Sequence, residues 1–127
     1  RSGVAACGLL DFQDAVTGPV GYDLISLTAD ARRDVPEALA RDMTARYQAA
    51  FNDPPEAFAA ACAALSAQRN LKILGIFTRL RKRDGKPGYE AHIPRVWRLL
   101  ERDAAHPALA ALKEWLARAA PIGRRPR

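Results

Sequence analysis

LLDFQDAVTGPVGYDLISLTADAR, residues 9–32, is the stretch on which the fold of this chain turns. Its first two leucines end an apolar run, Val4 to Leu10, that reads as one short buried strand. Asp11 stands where the run stops, and Asp14 follows three residues later in the turn. A carboxylate at a strand end projects from a rigid element into a crevice, a position where hard cations such as Mg²⁺ are held. Ordinary turn and cap duties would suit the same two aspartates. Gly18-Pro19 and Gly21 mark a turn, and from Tyr22 the pattern is helical, with Leu24, Leu27 and Ala31 on one face.

Everything downstream of that stretch reads as helix. Leu39, Met43, Tyr47 and Phe51 recur every four residues between Pro36 and Phe51, with Asp34 placed to cap. Asp53-Pro54-Pro55-Glu56 is a restart signal for a long central helix. Its stripe is Phe58, Cys62, Leu65, Ile73, Ile76 and Leu80, and Leu71, Leu74 and Phe77 add a second apolar face. Gly75 in that helix predicts close packing against a neighbour. Asp84 to Gly88 is a turn. Ile93, Val96, Trp97 and Leu100 mark another helix entered through Pro94, and Leu109, Leu112, Leu116 and Ala119 the inward face of the last. Trp97 and Trp115 read as core. A lone strand leaves its edges open, so its sheet partners are expected from residues before Arg1, and self-association through the open edge is a further expectation.

Composition narrows the function classes. The 127 residues are 49% hydrophobic, enough for a core, without the long uncharged run of a membrane span. The start is neither a signal peptide nor an initiating Met, and a truncated chain is expected. Cys7 and Cys62 read as buried free thiols, which fits a cytoplasmic protein, and His92 and His106 have no metal-ligand spacing to them. Of the net charge of +6, half sits in Arg124, Arg125 and Arg127, in a tail (122–127) expected to be disordered. Arg79, Arg81, Lys82, Arg83 and Lys86 form a second basic group. Aromatic residues do not interleave with these charges, so neither a nucleic-acid nor a membrane partner is expected.

The combination Leu10-Asp11-Phe12-Gln13-Asp14 followed by Gly18-Pro19-Val20-Gly21-Tyr22-Asp23-Leu24-Ile25-Ser26-Leu27 resembles the aminoglycoside-phosphotransferase superfamily, which has the protein-kinase-like fold. Gln68 to Leu80, Arg83-Asp84-Gly85-Lys86, Tyr89, Pro94-Arg95-Val96-Trp97 and His106-Pro107-Ala108-Leu109 resemble one bacterial branch of it, the anomeric kinases of N-acetylmuramate and N-acetylglucosamine. The resemblance runs to Pro121. It implies a mainly α fold, the helical C-lobe of a kinase with one short N-terminal strand, over residues 1–121. It implies ATP as phosphoryl donor, Mg²⁺ as cofactor and a small sugar as substrate. Asp11 then ligates the metal, Asp14 assists, and Asp23 props the catalytic loop through backbone hydrogen bonds. The family's His-Gly-Asp-x-x-x-x-Asn loop, which carries the general base, and the ATP-anchoring lobe are absent, so the catalytic base is expected upstream of Arg1. A fragment with one metal ligand and no base should not turn over alone. Kinases of the superfamily that act on aminoglycosides, choline or homoserine, and a non-catalytic helical binding module, are the alternatives.

Arg69 falls in register with the apolar stripe of the central helix. A buried guanidinium needs a partner. Either it pairs with a carboxylate such as Asp23 or Asp30, or it lines a substrate pocket, where its fork grips a carboxylate or hydroxyls. Gln68 and Lys72 are candidates for the same pocket.

Overall fold

The computed structural model describes residues 2–8, 15–51 and 53–125. Among them five α-helices carry the fold: α1 (Tyr22–Thr28), α2 (Glu37–Gln48), α3 (Pro55–Lys82), α4 (Ile93–Ala104) and α5 (Ala110–Ala119). The 28-residue α3 is the axis, and α1, α4 and the turn Pro87–His92 pack along it. Its ends suit its length. Pro55 opens the first turn beside Glu56, and Arg79, Arg81 and Lys82 fill the last turn, where positive charge meets the negative end of the helix dipole.

Two apolar clusters share α3. Ala31, Phe77, Ile93 and Val96 form one, with Ile73, Ile76 and Leu80 against it. Ala67, Leu100, Ala104 and Leu116 form the other, with Leu71, Leu109 and Leu112 against it. Leu74 and Trp97 touch both. Val96 and Leu100 on α4 are wholly enclosed, and each contributes about 1.5–3 kcal/mol by leaving water. The central helix is apolar on more than one side, as its sequence suggests, but its most buried positions are Phe58, Ser66, Ala67, Asn70 and Phe77. The stripe residues Cys62, Leu65, Ile73, Ile76 and Leu80 are only half-buried. The small side chains of Ser66 and Ala67 leave room beside the face against which α4 packs.

Several expectations change. The strand over residues 4–10 is not found in its described part: Gly3–Ala6 is an exposed 3-10 turn, and residues 9–10 lie outside the described residues. No other strand is present among the described residues to pair with it, so no open strand edge for self-association is present there either. Cys7 is an exposed thiol, while Cys62 is half-buried and free. Leu27, Ala119 and Trp115 face outward, because α1 and α5 are each covered on one side only. Nothing in the structure explains Gly75, which has open space where a side chain would be. Neither Asp34 nor Asp53 caps a helix through its side chain; Pro36 and Pro54 occupy the N-cap positions. Asp34 instead takes a two-pronged hydrogen bond from Arg95 on α4, at 2.8 and 2.7 Å. In the tail, Ile122–Arg124 forms a 3-10 turn, and Arg125 lies 4.6 Å over the Trp97 ring, paired with Glu101 and donating to the Ala120 carbonyl at 2.6 Å.

Candidate functional site

Of the residues singled out from the sequence, the structure describes Asp23 on α1 and Gln68, Arg69 and Lys72 on α3. Asp11 and Asp14, the candidate metal ligands, lie outside the described residues. Elsewhere, among the described residues, no three His, Cys, Asp or Glu side chains come together as a metal cluster. Asp23 is exposed in the first turn of α1, where a carboxylate complements the positive helix end. Leu24 and Ile25 beside it are buried, so the helix that carries Asp23 is anchored from below.

Arg69 is half-buried on α3 and donates from Nη1 to the carbonyl of Ala29, the C-cap residue of α1, at 3.4 Å. It does not pair with Asp23 or Asp30. Asp30 accepts from the Arg32 backbone N–H at 2.7 Å and from the Arg33 guanidinium, and that backbone bond, with the nearby arginine charges, holds its carboxyl below the usual carboxylate range. With Asp30 engaged on its own loop, Arg69 donates to a carbonyl at the end of α1, where helix carbonyls lack partners. Gln68 and Lys72, four residues apart on one face, are exposed.

A separate concavity contains none of those three α3 residues. It is a cleft of about 590 Å³ between α2 and α3, floored by alanines and by Cys62, whose thiol is pushed up by burial. Its polar rim includes Glu37 and Arg41, which pair with each other, and Arg102, Asp103 and His106. At one edge lies a buried polar knot. Asp103 Oδ2 accepts from Ser66 Oγ at 2.5 Å and from Asn70 Nδ2 at 2.9 Å, while its Oδ1 accepts from Arg102 at 3.0 Å. Asn70 Oδ1 is buried without a protein partner. His106 Nδ1 accepts from the Ala108 N–H at 3.2 Å, which fixes the proton of the neutral ring on Nε2. The knot joins α3 to α4 across 37 residues of sequence. Its sequence signal is Ser66 and Asn70 at i, i+4 on a helix whose neighbours are apolar, two polar residues that one buried acid can serve. The cleft carries hydrogen-bonding groups of both kinds and balanced charge, most of it paired internally.

Comparison with known proteins gives this geometry its context. Residues 3–60 match the phosphotransferase enzyme family. A kinase from Caulobacter vibrioides named N-acetylmuramate/N-acetylglucosamine kinase is 46% identical over 123 residues, 96% of this chain and 34% of the relative. Kinases of the same name from Pseudomonas aeruginosa and Neisseria meningitidis are each 44% identical, over 87% and 75% of this chain and 35% and 30% of their own lengths. The chain spans about a third of the length of these curated relatives, at their C-terminal end. No helix among the described residues is long and apolar enough to cross a membrane. The helical architecture around α3, the match that includes Asp23 and α1, and the identity that continues through α4 and α5 agree: the chain is similar to the phosphotransferase enzyme family, and its five helices are consistent with a helical C-terminal portion of a kinase-like fold.

Proposed function

We propose that this chain is the C-terminal portion of an ATP-dependent kinase that transfers the γ-phosphoryl group to a sugar hydroxyl, with the anomeric hydroxyl of N-acetylmuramate or N-acetylglucosamine as first-choice acceptor. The observation that carries the reading is the 46% identity over nearly the whole chain to a kinase named for those two sugars. Phosphoryl transfer depends mainly on positioning and on neutralising developing charge. Asp11, with help from Asp14, would hold the Mg²⁺ that neutralises the triphosphate. Asp23, exposed and rigidly mounted on α1, is suited to accept backbone N–H bonds from the catalytic loop. Gln68, Arg69 and Lys72 are the proposed acceptor-binding residues; the Arg69 bond to Ala29 is long, and such a bond can be exchanged for a ligand.

The test is a hybrid in which this chain replaces the C-terminal third of the Caulobacter kinase. It is assayed with ATP and Mg²⁺ against N-acetylmuramate, N-acetylglucosamine, kanamycin and choline. Transfer to the two amino sugars, lost by about a thousandfold or more in Asp11→Asn, is the expected result. An active hybrid indifferent to Asp11→Asn overturns the metal assignment. A hybrid that binds ATP and phosphorylates only choline or kanamycin overturns the acceptor.

A further inference from the structure

Arg125 is held more closely than the segment that carries it. Its side chain is 10% exposed, whereas Ile122 is 78% exposed and Gly123 and Arg124 face water. Three groups meet its guanidinium. The Trp97 ring lies under it at 4.6 Å, the Glu101 carboxylate pairs with Nη1, and the Ala120 carbonyl accepts from Nε at 2.6 Å. All three are mounted on rigid parts. Trp97 and Glu101, four residues apart, share a face of α4. Ala120 is the C-cap of α5, where carbonyls lack helical partners and the helix dipole is negative. A ring face, a carboxylate and a helix-end carbonyl are all electron-rich, so together they make a socket for a cation. Planarity selects which cation. One flat group covers the ring while donating in its own plane from two nitrogens, which a guanidinium does and an ammonium does not. Beside the socket runs an apolar groove of about 360 Å³, with Ala104, Leu116, Ala117 and Ile122 in its walls. Ile122 borders the groove without filling it. The chain's own segment thus occupies the charged half of this surface and leaves the apolar half open.

We infer that Trp97, Glu101 and the Ala120 carbonyl form an arginine-binding socket, filled here by Arg125 of the chain itself, and that a partner polypeptide takes it by presenting an arginine with an apolar side chain shortly before it. Charge complementarity and the unfilled groove select that occupant. Such a segment brings the same guanidinium and also buries apolar area that Ile122 leaves in water. Arg125 is then an internal competitor. Tethered five residues beyond Ala120, it is present at an effective concentration on the order of millimolar, and a partner binds only as it displaces it. The socket stands whether or not the chain is part of a phosphotransferase.

Arg125→Ala empties the socket for the test. Trp97 is the reporter once the other tryptophan, Trp115, is replaced by phenylalanine. The probe is acetyl-Leu-Gly-Gly-Arg-amide, which keeps the spacing of Ile122 and Arg125; its control carries citrulline, the neutral isostere, in place of the arginine. The arginine peptide moves Trp97 emission to the blue and binds the Arg125→Ala chain about tenfold or more tightly than the chain that keeps Arg125. The citrulline peptide does not bind, and Glu101→Gln added to Arg125→Ala weakens the arginine peptide by about tenfold. Equal affinity with and without Arg125 overturns the inference, because the peptide then sits elsewhere. So does equal binding of the citrulline peptide, or no binding to an Arg125→Ala chain whose circular dichroism is unchanged. Arg125→Gln, which keeps an aliphatic stem on the ring, replaces Arg125→Ala in every arm if the alanine variant loses helix. Pairing of the Arg125→Ala chain with the unaltered chain in sedimentation overturns the choice of partner and makes a second copy the occupant.

Discussion

Asp103→Ala should be the most damaging single truncation in the α3–α4 contact. The Asp103 carboxylate is almost fully enclosed and is the acceptor for both the Ser66 hydroxyl and the Asn70 amide. Once it is removed, those two buried donors keep only each other, through a long 3.4 Å contact. A buried donor without an acceptor costs about 1–3 kcal/mol, so two cost about 2–6 kcal/mol. Arg102 adds little, since its half-exposed guanidinium returns to water. For a chain of this size that loss lowers Tm by about 10–20 °C. The assay is equilibrium urea unfolding followed by circular dichroism, with the slope checked for constancy. The triple variant Ser66→Ala, Asn70→Leu, Asp103→Leu removes donors and acceptor together and should lose less than Asp103→Ala alone. A loss below about 1 kcal/mol for Asp103→Ala, or a triple variant worse than the single, would refute the account of the knot as mutually satisfied buried polarity.

Three further outcomes follow from other contacts. A methyl group at Gly21 would lie 2.5 Å from Cys62 Sγ, so Gly21→Ala should cost about 1–3 kcal/mol, and Cys62→Ala should recover most of it in the double variant, a coupling read from a double-mutant cycle of urea midpoints. Arg125→Ala frees the Trp97 face and the Glu101 carboxylate; in a Trp115→Phe background the emission of Trp97 should shift to the red, with a stability loss of about 1 kcal/mol. Asp34 is held below its ordinary value near 3.8, first by the hydrogen bonds from Arg95 and then by that residue's charge. A depressed carboxylate adds stability that is complete above its unfolded value and is lost as pH falls through the folded one. Asp34→Asn should therefore flatten the loss of stability between about pH 5 and about pH 2, measured by the urea midpoint at each pH.

Much of the helical plan was legible because periodicity survives without tertiary information. The spacing of Ile93, Val96, Trp97 and Leu100 marks α4, and the proline restart at 54–55 marks the beginning of α3. The run Val4 to Leu10 misled over its described part because apolarity alone does not make a strand, and pairing is a property of a second segment. The Ser66–Asn70–Asp103 knot was hidden for a similar reason. Its acceptor is 33 and 37 residues from its donors, and only the packing of α4 on α3 brings them together. Arg69 was rightly marked as a cation needing a partner, but the partner is a backbone carbonyl, and backbone groups have no signature in sequence. Arg125 falls in a tail expected to be disordered, whereas a ring, a carboxylate and a carbonyl converge on it from α4 and the end of α5.

The sharing of α3 between the two apolar clusters has a thermodynamic consequence. Because Leu74 and Trp97 belong to both, neither cluster can open without removing contacts from the other. The region from α3 to α5 should therefore melt as one cooperative unit, with its slowest-exchanging amides in the middle of α3, near Ala67 to Phe77. Helix α2, which has no fully buried residue, should exchange its amides with solvent by local opening long before that unit yields.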